Sequence, residues 1–269
     1  MQSGYKSRLN YTDMEYFNLS EKETRIATAK RQKSVPTLEQ IKHVIETMAC
    51  TTDIEQRNRA LIAFTLITGA RDAAIASMKI KHINLQNKSI FQDAREVNTK
   101  FSKTFTTHFF QVGDNIEKIV VDWITYLKEE LLYGNDDPLF PQTNVISGKD
   151  RTFKASGFKR EHWSTASPIR TIFKKEFEAA GLPYFNPHSF RNTLVVLGEQ
   201  RCQSPEDFKA WSQNLGHEGV LTTFYSYGEV QQSRQGEIIQ QLKQPRSSNL
   251  ANVDEIAKAV AREISNYNQ

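Results

Sequence analysis

The sequence predicts a mostly α-helical domain that carries one small antiparallel β-sheet. Apolar residues recur at helical spacing in several segments between Pro36 and Gly216. Between Lys88 and Phe110 the pattern changes to short aromatic and β-branched runs, as strands require. With 269 residues and 38% apolar content, the chain is long and apolar enough to bury a core.

Residues 1–35 are polar and charged, end in Lys30-Arg31-Gln32-Lys33, and read as a tail or linker. Pro36-Thr37 opens a helix, with Thr37 as N-cap and Gln40 completing a capping box, and Ile41, Val44, Ile45 and Met48 forming one face. A second helix runs from about Ile54 through Leu61, Ile62, Phe64 and Leu66 to Gly69, which ends it in a left-handed conformation. Ser89-Ile90-Phe91 and Thr104 to Phe110 are the expected strands. Helical spacing returns at Ile116, Val120, Trp123 and Leu127, again over 166–181 before Gly181-Leu182-Pro183, and in further segments from Pro187 onward. Over 252–267 Val253, Ile256, Ala257, Val260, Ala261 and Ile264 form an apolar stripe. Such a stripe needs a partner surface, and the preceding Gln244–Asn252 segment reads as its tether.

Composition narrows the function classes. No apolar run reaches the roughly eighteen residues of a membrane span, and Met1 to Lys6 lead into polar sequence, so a cytoplasmic protein without membrane attachment is expected. Cys50 and Cys202 are far apart and lack metal-ligand spacing, so both are expected to be buried thiols. A net charge of +4 says little, but Lys149, Arg151, Lys154, Lys159 and Arg160 crowd against one acid, Asp150, with Phe153, Phe158 and Trp163 beside them. That composition suits a flexible loop along a phosphate backbone, or simply a solvated basic surface.

The chemistry lies in three phrases, Thr68-Gly69-Ala70-Arg71, His188-Ser189-Phe190-Arg191 and Leu215-Gly216-His217, the last followed by Tyr225 and Tyr227. Guanidinium groups offer permanent charge and planar paired donors, so Arg71 and Arg191 suit the non-bridging oxygens of a phosphodiester. His188 and Arg191, three positions apart, share one face of a helix starting near Pro187. A tyrosine beside such cations is a candidate nucleophile. A metal hydrolase built on His188 and His217 fails on spacing and lacks nearby paired carboxylates.

Taken in order, these phrases resemble the tyrosine recombinases, or phage-type integrases, over roughly Pro36 to Gly228. The resemblance implies that family's catalytic-domain fold over 36–243 and a site-specific recombinase that cleaves and rejoins double-stranded DNA through a 3′-phosphotyrosyl link, with no metal or other cofactor. By the same resemblance Arg71 and Arg191 hold the phosphate, His188 handles a proton at the nucleophile and His217 donates to a phosphate oxygen. Tyr227 is the preferred nucleophile, ten residues after His217, with Tyr225 as the alternative. Lys100 is the hairpin lysine that protonates the leaving oxygen, and Lys103 is its alternative and a DNA contact. Lys149, Arg151, Lys154, Lys159 and Arg160 are the further DNA contacts.

The resemblance also implies a homotetramer on DNA, with 244–269 exchanged between protomers, and residues 1–35 as the end of a missing core-binding domain. Two positions depart from the family pattern: Ala74 stands where relatives often carry an acid, and Asn192 where they often carry histidine. The competing reading is a DNA-binding accessory protein that keeps the fold and cuts nothing.

Overall fold

Helix α1 (Leu38–Thr47) starts at the expected capping box: the Thr37 hydroxyl accepts from the Gln40 amide at 3.1 Å, and the Gln40 side chain accepts from the Thr37 amide at 2.9 Å. Ile41, Val44 and Ile45 are buried. Thr52 and Glu55 form a second capping box that opens α2 (Asp53–Thr68). Every residue of α2 from Ala60 to Thr68 is buried, which makes it the central helix and explains why it shows no polar face. A short helix, α3 (Asp72–Ser77), follows directly.

The computed structural model describes residues 20, 22–24, 34–147 and 153–217. By internal contacts the chain forms two units, Met1–Ser34 and Val35–Gln269. In the first, Ser20 and Glu23 cap a helical turn at 22–24 reciprocally.

Strands β1 (Ile83–Asn84), β2 (Ser89–Gln92) and β3 (Phe105–His108) make an antiparallel sheet in the order β1-β2-β3. Ser89 pairs with His108 and Gln92 with Phe105, so residues 93–104 form the hairpin loop. The Phe110 amide donates to the Ile67 carbonyl at 2.7 Å and fastens the hairpin's end to α2. Helix α4 (Asp114–Glu129) packs along α2 through Ile116, Val120, Trp123, Ile124 and Leu127. Helix α5 (Ser167–Ala179) and helix α6 (Ser189–Arg201) close the core with Phe173 and Phe177 against Phe190, ring centroids 5.1 and 6.0 Å apart. Pro205 opens α7 (Pro205–Asn214) as its first residue, behind a Ser204–Asp207 capping box.

The basic segment expected as a flexible loop is in part a strand. Strands β4 (Gln142–Ser147) and β5 (Phe153–Lys159) pair into a second antiparallel hairpin. Its aromatic neighbours face inward, because the buried Arg57 guanidinium lies 5.4 Å from the Phe158 ring centroid and 5.1 Å from that of Trp163. Arg57 also donates to the Pro141 carbonyl at 3.0 Å and to the Thr143 hydroxyl at 2.8 Å, anchoring the hairpin base to α2. Burial lowers its pKa to about 10, so it remains charged at neutral pH. The thiols correct a second expectation, since Cys50 is exposed and Cys202 is only half-buried.

Candidate active site

Gly69 ends α2 with φ 59° and ψ 19°, a left-handed conformation that turns the chain sharply into Arg71. A Cβ there would sit 3.0 Å from Leu194 of α6 and 3.2 Å from Leu215, so this turn packs against α6 and the third phrase. The Thr68 hydroxyl donates to the Phe64 carbonyl at 2.7 Å and accepts from the Ala70 amide at 3.2 Å, which fixes the turn from within. Arg71 occupies the N-cap position of α3 in extended backbone and makes no side-chain cap bond there. The following Asp72 accepts from Arg170 Nε of α5 at 2.7 Å.

The second phrase starts α6. His188 is the N-cap residue with helical backbone, and Asn186 supplies the capping oxygen, accepting from the Ser189 amide at 3.0 Å. Arg191 lies one turn on, 3% exposed. Its Nη1 donates to the Gly69 carbonyl at 2.6 Å, its Nη2 donates to the Leu215 carbonyl, and the same Nη2 meets His217 Nε2 at 3.0 Å. One guanidinium thus ties all three phrases together. Its Nε is buried and has no hydrogen-bond partner among the described residues. An orphaned charged donor of this kind is costly unless a ligand satisfies it.

The third phrase is held by the hairpin. The Asn214 side chain accepts from the His108 amide at 2.7 Å and donates to the His108 carbonyl at 2.9 Å, continuing the β3 ladder as a strand would. The Thr107 hydroxyl donates to the Asn214 carbonyl at 3.1 Å. Gly216 follows with φ 70°, and any Cβ there would lie 2.7 Å from the Phe105 ring. Only glycine admits this approach, which sets His217 beside Arg191.

A guanidinium only donates, so His217 Nε2 accepts and its proton resides on Nδ1. Burial, reinforced by the charges of Arg191 and Arg71, accordingly lowers the His217 pKa to about 4. His188 is also lowered, by desolvation first and then by Arg191 and Arg71, with Asp72 opposing. Lys100 is among the charges acting on His188, and Lys103 among those acting on His217. Arg71, Lys100, Lys103, His188, Arg191 and His217 therefore share one electropositive locality, drawn from α2–α3, the β2–β3 loop, α6 and the turn after α7.

A pH dependence follows. Unfolded His217 takes up a proton near pH 6.5, whereas the folded residue does so only near pH 4. Between these values the unfolded chain holds more protons, so this residue lowers stability as pH falls through that window. Urea unfolding at pH 7 and pH 5 is expected to show a decline that His217→Gln reduces, and an equal decline in both proteins would contradict the assignment.

The other expected site residues fall elsewhere. Lys154 and Lys159 are exposed on β5. Arg160 lies 4.6 Å from the Tyr133 ring centroid and donates to the Leu131 carbonyl at 2.8 Å, a contact made within the chain. Lys149, Arg151, Tyr225, Tyr227 and the 252–267 stripe lie outside the described residues. The sequence reading missed Asn214 and Phe105, which position the third phrase. Neither carries a motif, because an amide that mimics a strand and a ring that faces a glycine are visible only once the hairpin is placed.

Residues 34–234 match the family model described as the phage integrase family, and the chain belongs to that family. It is 23% identical over 194 residues to tyrosine recombinase XerC of Lactobacillus leichmannii, covering 72% of this chain and 58% of that one. The XerC of Lactobacillus delbrueckii subsp. bulgaricus is 24% identical over the same share. The chain thus spans 58% of the length of these relatives.

Among solved structures, the XerA recombinase superposes with a TM-score of 0.51 at 21% identity, covering 81% of this chain and 67% of that one. The XerH site-specific recombinase in a post-cleavage complex with its difH substrate gives 0.53 at 20% identity, covering 80% and 55%. At these identities the likeness establishes the fold alone, mostly helical with small antiparallel sheets.

Proposed function

We propose that this chain is the catalytic domain of a site-specific DNA recombinase that cleaves and rejoins duplex DNA through a tyrosyl intermediate. The observation that carries the reading is the junction at Arg191, where one buried guanidinium joins the Gly69 turn, the Leu215 turn and His217 and keeps an unsatisfied Nε. A phosphodiester is a ligand that suits it: the scissile phosphate is anionic, planar donors match its oxygens, and the neighbouring cations neutralise charge that grows in the pentacoordinate transition state. XerH, solved bound to its difH substrate, and the Tn1549 transposon integrase, solved in complex with circular intermediate DNA, share this fold and support duplex DNA as the partner.

In this reading Arg71 and the Arg191 Nε bind the non-bridging oxygens, and neutral His217 donates from Nδ1. Tyr227 attacks phosphorus, its phenolic proton passing to His188, whose lowered pKa keeps the imidazole available as a base. The bond from phosphorus to the 5′ oxygen breaks, and a hairpin lysine protonates that oxygen. A strand with a free 5′ hydroxyl then reverses the step, so the bond energy is conserved and no cofactor is consumed. Assembly as a homotetramer with the 244–269 segment reaching a neighbouring protomer is part of the same proposal.

A nicked duplex whose cleavage releases a short fragment should trap the protein covalently on DNA. An absence of adduct despite tight binding would favour the accessory-protein reading. Lys100→Ala should cut poorly, and a 5′-thiol leaving group, which needs no proton, should restore cleavage. Rescue of Lys103→Ala instead would reassign the acid.

A further inference from the structure

The β2–β3 loop carries a side chain that the mechanism above does not use. Phe101 is 77% exposed, more than any other large apolar residue among those described. Its backbone has φ 60° and ψ 25°, and Ser102 follows at φ 51°, so the loop tip is held in a left-handed double turn that an aromatic residue seldom adopts. Lys100 Nζ lies 4.8 Å from the ring centroid and Lys103 Nζ 6.0 Å. Both lysines belong to the electropositive locality around His188 and His217.

An exposed ring flanked by two ammonium groups has the chemistry of a nucleobase contact: the ring offers a stacking face, and the cations match the phosphate backbone. A solvent-facing aromatic in a costly backbone conformation has no evident structural use. We infer that Phe101 stacks into the DNA duplex at the base step beside the phosphate held by Arg71 and Arg191, partly unstacking that step, with Lys103 on a flanking phosphate and Lys100 kept at the leaving oxygen. Apolar side chains that enter the minor groove act in this way, exchanging base stacking for a deformed duplex. The inference rests on the recombinase reading. It adds a residue that selects DNA by how readily one step opens, so flexible pyrimidine–purine steps would be favoured there.

The test uses the full chain and short duplexes recovered by binding from a random-sequence pool, with 2-aminopurine placed at successive positions. Wild type and Phe101→Trp should raise the emission at one step several-fold. Phe101→Ala should leave it at the free-duplex level and bind about 10-fold more weakly, the scale of one lost base–aromatic stack. Its melting temperature should match wild type, since the ring is exposed. Equal emission from wild type and Phe101→Ala would overturn the inference while leaving the recombinase reading intact. A clear loss of melting temperature in Phe101→Ala would overturn it too, by showing that the chain itself covers the ring. A wild-type protein that recovers no duplex from the pool would instead bring down the recombinase reading, and the inference with it.

Discussion

Arg191→Lys is expected to lower DNA cleavage by three orders of magnitude or more, on the scale of losing a preorganised anion donor, and to destabilise the fold as well. The double effect follows from its contacts. An ammonium has the charge but not the reach to serve the Gly69 carbonyl, the Leu215 carbonyl and His217 together. Two buried acceptors would lose their donor, at roughly 1–3 kcal/mol each. Arg71→Lys offers the contrast, because Arg71 is only partly buried. Its cleavage should fall comparably while urea unfolding stays near wild type. If Arg191→Lys unfolds at the wild-type midpoint, the guanidinium is not the junction described.

Tyr227→Phe should abolish covalent attachment to DNA and leave binding nearly unchanged, since only the attacking oxygen is lost. Tyr225→Phe should retain the adduct. The reverse result would move the nucleophile two residues upstream, to Tyr225. A phenol is a weak nucleophile at neutral pH unless a base and positive surroundings assist it. His188 is suited as that base by its lowered pKa.

Much of this was legible in the sequence for identifiable reasons. The α1 capping box, the left-handed Gly69 and the amphipathic face of α4 are local features whose residue types state the conformation directly. The three phrases were legible because their chemistry is unusual, although spacing alone did not reveal that Arg191 spends most of its donors on the protein. The Lys154–Lys159 segment was misjudged for a physical reason. Lysines separated by Ala155, Ser156 and Gly157 look like a loop until the partner strand is known, and Arg57, which turns Phe158 and Trp163 inward, lies far away in sequence. The Asn214 clamp and the Gly216–Phe105 contact are likewise long-range. Long-range contacts of this kind leave no periodic trace.

The central claim is that one electropositive site built around Arg191 delivers a DNA phosphate to a tyrosine. Its most direct measurement is to trap the protein on a nicked duplex, digest the adduct and sequence the peptide that retains a nucleotide. A 3′-phosphonucleotide is expected on the peptide containing Tyr227, and none when Arg191 is lysine. An adduct on any residue other than Tyr227, or one formed undiminished by Arg191→Lys, would contradict it.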